Sequence, residues 1–159
     1  MLKLDTEVVK CLNCGNNNTF LTRTDIYSYG VWIAGNRQGD RFALVQIIDN
    51  PVFDEVTESI KSICLENNIA DYEKYLLPEK TCNLFPIACD PVDGDTVSFR
   101  DGPRVCKYCG SNDLANTLSE PLCSTEVREF TVTYDLWNNK TQEEKKQLIF
   151  NALMGIQKE

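Results

Sequence analysis

Apolar and polar positions alternate, run together or recur at helical spacing in a clear order along the chain. Glu7-Val8-Val9-Lys10 and Thr19-Phe20-Leu21-Thr22-Arg23-Thr24 read as two short strands, with the turn residues Asn16-Asn17-Asn18 before the second. Tyr27 to Ala34 is rich in aromatic and β-branched residues, with Tyr27, Tyr29, Val31 and Ile33 on one face of a strand. After the loop from Gly35 to Asp40, the run from Arg41 to Ile48 puts Phe42, Leu44 and Ile48 on one face. Ala43, Val45 and Ile47 fall on the other. The two runs predict a β-hairpin whose second strand is apolar on both faces, so it should lie inside a sheet or beneath a helix.

Asn50-Pro51 is a helix start, with Asn50 as cap and Pro51 in the first turn. Val52, Phe53, Val56, Ile60, Ile63 and Cys64 follow at helical spacing, and the helix should end near Asn67-Asn68. Asp71 to Leu77 predicts a short second helix stopped by Pro78, and Glu79 to Asp95 an ordered loop. Thr96 to Arg100 reads as a strand, Asp101-Gly102-Pro103 as a turn, and Leu114 to Ser124 as irregular. Val127 to Trp137 alternates and predicts a further strand. Thr141-Gln142-Glu143-Glu144 is a capping box opening a helix whose core stripe is Leu148, Ile149, Ala152 and Leu153, with Gly155 as its expected end.

Two stretches far apart in this pattern are near-copies. Cys11-Leu12-Asn13-Cys14-Gly15-Asn16-Asn17 and Cys106-Lys107-Tyr108-Cys109-Gly110-Ser111-Asn112 are each C-x-x-C-G followed by small polar residues. The two-residue spacer lets both sulfurs of one turn face the same point. The glycine permits a left-handed backbone, which turns nearby amides toward the sulfurs. Each turn offers two thiolates and a tetrahedral ion takes four, so Cys11, Cys14, Cys106 and Cys109 predict one shared metal site. Zinc is the expected ion, in a structural role, because four thiolates leave no open position for water. Iron is the chemical alternative, since it accepts the same tetrahedron.

The paired turns resemble the knuckles of zinc-ribbon and rubredoxin-like proteins. The resemblance covers the turns and their flanking strands; together with the elements read along the chain, the expected fold is α+β. Its parts are a small antiparallel zinc-ribbon sheet, a large inserted β-hairpin and helix region, and a C-terminal helix. The expected organisation is residues 1–24 and 97–137 as the two ribbon halves and 25–96 as an acidic insert. Residues 138–159 form the C-terminal helix packed on the core. Ribbons of this kind occur in transcription and translation factors, in enzyme subdomains and in adaptor modules. A free-standing ribbon separates its knuckles by a short span, whereas a domain-sized stretch lies between them here.

Charge sharpens this picture. The 159 residues carry a net charge of −8. Between Asp49 and Asp95 stand 11 acidic residues against 3 basic ones, and the remaining sequence is balanced. The acidity therefore belongs to the insert. Histidine is absent, which removes histidine acid–base chemistry, Ser-His-Asp and Cys-His pairs, and mixed Cys/His metal sites. Cys64, Cys82, Cys89 and Cys123 are irregularly spaced and read as buried thiols of a reducing compartment, with a second metal site as the alternative. The N-terminus lacks the apolar core of a signal peptide, and no apolar run approaches membrane-spanning length, so a cytoplasmic location and no membrane partner are expected.

Three further sets were weighed. Asp90-Pro91-Val92-Asp93-Gly94-Asp95 is an acidic turn without the alternating ligands of a calcium loop. Arg23, Tyr27, Tyr29, Trp32, Arg37 and Arg41 interleave basic and aromatic character, as a single-strand nucleic-acid surface would. A hairpin with its rings in the core explains them as well, and the acidic insert would repel phosphate. Asp54, Glu55, Glu58, Glu66, Asp71 and Glu73 would line the acidic outer faces of the helices, a docking face for a basic protein. The expected function is therefore a non-enzymatic, zinc-stabilised protein-interaction module: an adaptor, inhibitor or immunity-type binder. A transcription- or RNA-associated zinc-ribbon factor is the alternative.

Overall fold

A computed structural model describes residues 1–23, 30–99 and 104–157, without the side chains of residues 78, 79, 156 and 157. Among these residues the fold is mixed α+β, with seven strands and four helices. The strands are β1 (Leu2–Cys11), β2 (Asn17–Thr22), β3 (Val31–Gly35), β4 (Arg41–Gln46), β5 (Ser98–Phe99), β6 (Leu114–Leu118) and β7 (Cys123–Glu129). The helices are α1 (Pro51–Glu66), α2 (Pro78–Leu84), α3 (Asp135–Asn138) and α4 (Gln142–Gln157).

The strands form one curled sheet in the order β2-β1-β7-β4-β3-β5, with β6 pairing β1 off this path. β1 is its organising member. It pairs β2 along one edge. Along the other, Leu2 to Thr6 pair β7 and Val9 and Cys11 pair β6. All pairs are antiparallel except β4 with β7, where Arg41 and Phe42 lie beside Arg128 and Glu129. That parallel contact carries the sheet from the cysteine-bearing strands into the β3–β4 hairpin.

The hairpin explains its own apolar pattern. Ile33, Phe42 and Leu44 pack against Leu2, Leu4, Leu21 and Val127 from the β1, β2 and β7 layer. Ala34, Ala43, Val45 and Ile47 turn the other way, into a larger core with Val52, Val56, Ile60 and Ile63 of α1 and Ile149 and Leu153 of α4. β4 is thus covered on both faces, as its sequence predicts, but it ends at Gln46, and Ile48, expected on the Phe42 and Leu44 face, is exposed. Each fully buried aliphatic side chain contributes roughly 1.5–3 kcal/mol. Trp32 belongs to this core, edge-on to Phe53 at 5.4 Å and to Phe99 at 5.6 Å.

Local capping behaves as the sequence implies. Asn50 Oδ1 accepts from the backbone amides of Val52 and Phe53, and α1 begins at Pro51. Thr141 Oγ1 accepts from the Glu144 amide while Glu144 Oε1 accepts from the Thr141 amide, the reciprocal capping box ahead of α4. α4 is clamped to α1 by Lys145, whose Nζ reaches Glu55 Oε1 at 2.7 Å and lies 5.3 Å from the Trp137 ring centre. Trp137 Nε1 donates to the other Glu55 oxygen.

Several expected elements differ. The short helix expected before Pro78 is a 3-10 helix over Tyr72–Leu76 that ends at the extended Leu77, and Pro78 in addition opens α2, where its missing amide costs nothing. The expected loop from Glu79 to Asp95 therefore contains most of α2 and a second 3-10 turn at Phe85–Ala88. Leu114 to Ser124 is not irregular but holds β6 and the start of β7, whose partner strand β1 supplies the hydrogen bonds. The strand expected from Val127 to Trp137 ends at Glu129, and Trp137 sits fully buried in α3. α4 continues through Gly155 to Gln157. β5 pairs β3 rather than a cysteine-bearing strand. Thr24, Tyr27, Tyr29, Arg100 and the turn at 101–103 lie outside the described residues.

Asp90 explains why the chain bends out of β7 into α3. Its carboxylate accepts from the Thr133 hydroxyl at 2.6 Å and from the amides of Asp135 and Leu136 at 2.9 Å each. Partial burial raises its pKa, but these hydrogen bonds outweigh the burial and hold it below the ordinary value. A lowered folded-state pKa stabilises the protein above the unfolded value near pH 4 and is lost as pH falls through the folded one. Asp90→Ala should therefore cost about 1–2 kcal/mol at pH 7. In urea unfolding of wild type and variant, that difference should shrink once the pH drops below about 4.

Candidate metal centre

The two C-x-x-C-G turns have the same hydrogen bonds. Gly15 N donates to Cys11 O and Gly110 N to Cys106 O, both at 2.9 Å. Cys11 N donates to Asn16 O and Cys106 N to Ser111 O, both at 2.8 Å. Each turn closes on a left-handed glycine, Gly15 at φ 81° and Gly110 at φ 76°. The resemblance extends to how they meet. Leu12 N donates to the carbonyl of Asp113 at 2.9 Å, and Lys107 N donates to the side-chain oxygen of Asn18 at 2.8 Å. In both cases the residue after the first cysteine of one turn reaches the residue seven past the first cysteine of the other. The turns are thus related by an approximate two-fold exchange.

This exchange brings four sulfurs together. The Sγ atoms of Cys11, Cys14, Cys106 and Cys109 all lie within 4.8 Å of one another. Between the turns, Cys11 approaches Cys109 and Cys14 approaches Cys106, both to 3.6 Å. A tetrahedron of metal–sulfur bonds of ~2.3 Å has edges of about 3.8 Å, so the spacing fits a four-thiolate ion. It is far beyond the ~2.0 Å of a disulfide. Cys11 and Cys106 are buried, while Cys14 and Cys109 are exposed, the same alternation in each turn.

Amide donors surround the sulfurs. Asn13 Nδ2 reaches Cys109 Sγ at 3.5 Å, Asn16 Nδ2 reaches Cys14 Sγ at 3.3 Å, and Asn18 Nδ2 reaches Cys106 Sγ at 3.3 Å. The Tyr108 amide adds a contact to Cys106 at 3.4 Å. Burial alone would raise the Cys106 thiol, but the Asn18 carboxamide and the amides of Cys109 and Tyr108 outweigh it and lower the pKa to about 6. The Asn13 side chain leads the hydrogen bonds that lower Cys109. Cys11 accepts a lowering bond from the Cys14 amide. Burial and its neighbours Cys109 and Cys106 nonetheless push it up to about 11. Thiols packed this closely share protons when no cation is bound, and a cation replaces those protons.

The asparagines carried no such role in the sequence, where Asn16-Asn17-Asn18 reads as turn material. Their only signal was their density beside the cysteines. The other thiols stand apart. Cys64, Cys82 and Cys89 are buried separately and Cys123 is exposed on β7. Burial raises Cys64 and pushes Cys89 up to about 12, as expected of unreactive core thiols.

The remaining candidates are mostly occupied. The acidic turn is satisfied from within the protein: Asp90 caps α3, Asp93 pairs Arg41 at 2.9 Å and Asp95 pairs Arg37 at 3.3 Å. The same contacts engage two arginines of the basic and aromatic set, while Trp32 is in the core. Of the acids expected to face a partner, Glu55 is committed to Lys145 and Trp137, and Glu66 pairs Lys146 at 2.9 Å. Asp54, Glu58, Asp71 and Glu73 are exposed. Among the described residues no helix is long and apolar enough to cross a membrane.

Comparison of the chain with protein-family models, curated proteins and solved structures finds no match.

The geometry separates the cysteines into two classes, which substitution should expose. Cys106→Ser should abolish stoichiometric metal binding by native mass spectrometry and lower the melting temperature, whereas Cys123→Ser should leave both unchanged. In the metal-loaded protein, iodoacetamide should label Cys123 first and reach Cys64, Cys82 and Cys89 only on unfolding.

Proposed function

We propose that the chain is a non-enzymatic protein-interaction module of the cytoplasm, stapled by one structural zinc and directed at a basic protein. Cys11, Cys14, Cys106 and Cys109 are the metal ligands in this reading. The β1–β2 and β6–β7 segments they join serve as the two halves of a ribbon. The observation that carries it is the four-sulfur cluster. Four thiolates saturate a tetrahedral ion, so no position is left for a substrate or a water, and the ion's contribution is to folding. Zinc suits such a redox-silent role; iron would fill the same tetrahedron.

What supports a basic partner is the division among the acids of the central region. Glu55, Glu66, Asp90, Asp93 and Asp95 are used to hold the fold together. Asp54 and Glu58, one turn apart on α1, stay exposed, as do Asp71 and Glu73 beyond its C-terminus. Unpaired carboxylates of one sign speed encounter with an oppositely charged surface and orient it, with strong dependence on salt.

Reversal of those four charges tests the reading. The Asp54→Lys, Glu58→Lys, Asp71→Lys, Glu73→Lys variant should keep its zinc and its circular dichroism. It should lose at least tenfold in affinity for the basic proteins that the immobilised wild type retains at low salt and releases at high salt. Equal retention by the variant would sink the acidic docking face. Retention of nucleic acid or of polymerase subunits instead would favour a transcription- or RNA-associated factor.

A further inference from the structure

Three carboxamides from one turn face the sulfurs, and the near-symmetry of the two turns makes their distribution informative. Asn13, Asn16 and Asn18 all belong to the first turn and its exit strand. The positions equivalent to them after Cys106 are Tyr108, Ser111 and Asp113, none of which has a carboxamide. Backbone geometry is matched between the turns; the side-chain donors are not. Two of the three contacts cross between the turns, from Asn13 to Cys109 and from Asn18 to Cys106, and the third, from Asn16 to Cys14, stays within the first.

We propose that Asn13, Asn16 and Asn18 are positioning residues for the ion. They hold the charge of the four-thiolate centre, and Asn18 is the one that also fixes the second turn in place. This rests on the metal reading given above. Four thiolates around a divalent cation leave a net charge of about −2. Cys14 and Cys109 are exposed, so that charge sits where competing ligands reach it. An N–H directed at a thiolate draws electron density from the sulfur, weakening it as a target for protons and electrophiles while leaving it bound to the metal. Backbone amides provide this on both sides, and the first turn adds a carboxamide to each sulfur but Cys11.

Asn18 is distinguished by burial and by doing two things at once. It is 1% exposed. Its Nδ2 donates to Cys106 Sγ while its Oδ1 accepts from the Lys107 amide. The donor and the acceptor are therefore separable: Asn18→Asp keeps an oxygen for Lys107 and removes the N–H. Asn13 and Asn16 are exposed, so Asn13→Ala and Asn16→Ala remove their donors without opening the core. Asn112, after the second turn, donates to no sulfur and is the matched control.

The experiment loads wild type and the four variants with cobalt(II). It reads the sulfur-to-cobalt charge-transfer band and then the rate at which zinc-loaded protein yields its ion to a chelator. Removing a hydrogen bond raises the energy of the sulfur electrons. The band should move to lower energy in Asn13→Ala, Asn16→Ala and Asn18→Asp, and zinc transfer should quicken by roughly tenfold or more, most in Asn18→Asp. Asn112→Ala should match wild type, and circular dichroism should be unchanged in the two exposed variants. Bands and transfer rates equal to wild type in Asn13→Ala and Asn16→Ala would overturn the inference, whatever Asn18→Asp does to folding. A wild type without a four-thiolate cobalt spectrum would overturn the metal reading and this inference with it.

Discussion

Four sulfurs within 4.8 Å of one another impose a charge constraint on the whole chain. Two unit charges about 4 Å apart repel by roughly 4 kcal/mol near a protein surface. Four thiolates at that spacing need protons or a cation between them. A divalent ion satisfies them together and binds only if residues 11–14 and 106–109 are held at one place. The fold is arranged to do this. β1 ends in Cys11, β2 returns from the same turn, and β6, which pairs the same end of β1, follows the second turn. Leu12 and Lys107 then tie each turn to the other.

The rest of the sheet grows from the opposite end of β1. There β7 pairs Leu2 to Thr6 and passes the sheet on to β4 through a short parallel contact. The β3–β4 hairpin is consequently a middle layer, with the cysteine-bearing strands on one face and α1 and α4 on the other. α1, which carries the exposed Asp54 and Glu58, packs on the hairpin, and the hairpin packs on β1, the strand that ends in Cys11.

The acids are divided by the same geometry. An acidic region of this density would repel itself if every carboxylate stood free, and the fold resolves part of that by pairing. Lys145 and Lys146, on α4, neutralise Glu55 and Glu66 of α1, and Arg41 and Arg37 of the hairpin neutralise Asp93 and Asp95. The cations come from outside the acidic stretch of sequence. The ion pairs are therefore long-range contacts that fasten it to its surroundings, while Asp54, Glu58, Asp71 and Glu73 stay exposed.

Features that depend on neighbours along the chain could be read from the residues alone. The two C-x-x-C-G turns, the Asn50-Pro51 start of α1, the Thr141–Glu144 box and the two-sided apolar pattern of β4 were all legible, because spacers, caps and side-chain alternation are local. Features that depend on residues brought from afar emerged with the folded chain. Leu114 to Ser124 carries no strand pattern of its own and becomes β6 and the start of β7 because β1 offers open hydrogen-bonding groups. Pro78 reads locally as a helix stop only; the extended Leu77 before it both ends the 3-10 helix and takes the cap position at the start of α2. Glu55 and Glu58 look alike on the α1 surface until Lys145 and Trp137 arrive from beyond residue 130 to claim one of them. Asn18 sits in a run of three asparagines with nothing local to set it apart. Burial against a cysteine 88 positions away does so, because a side-chain amide acquires a role only when its partner reaches it.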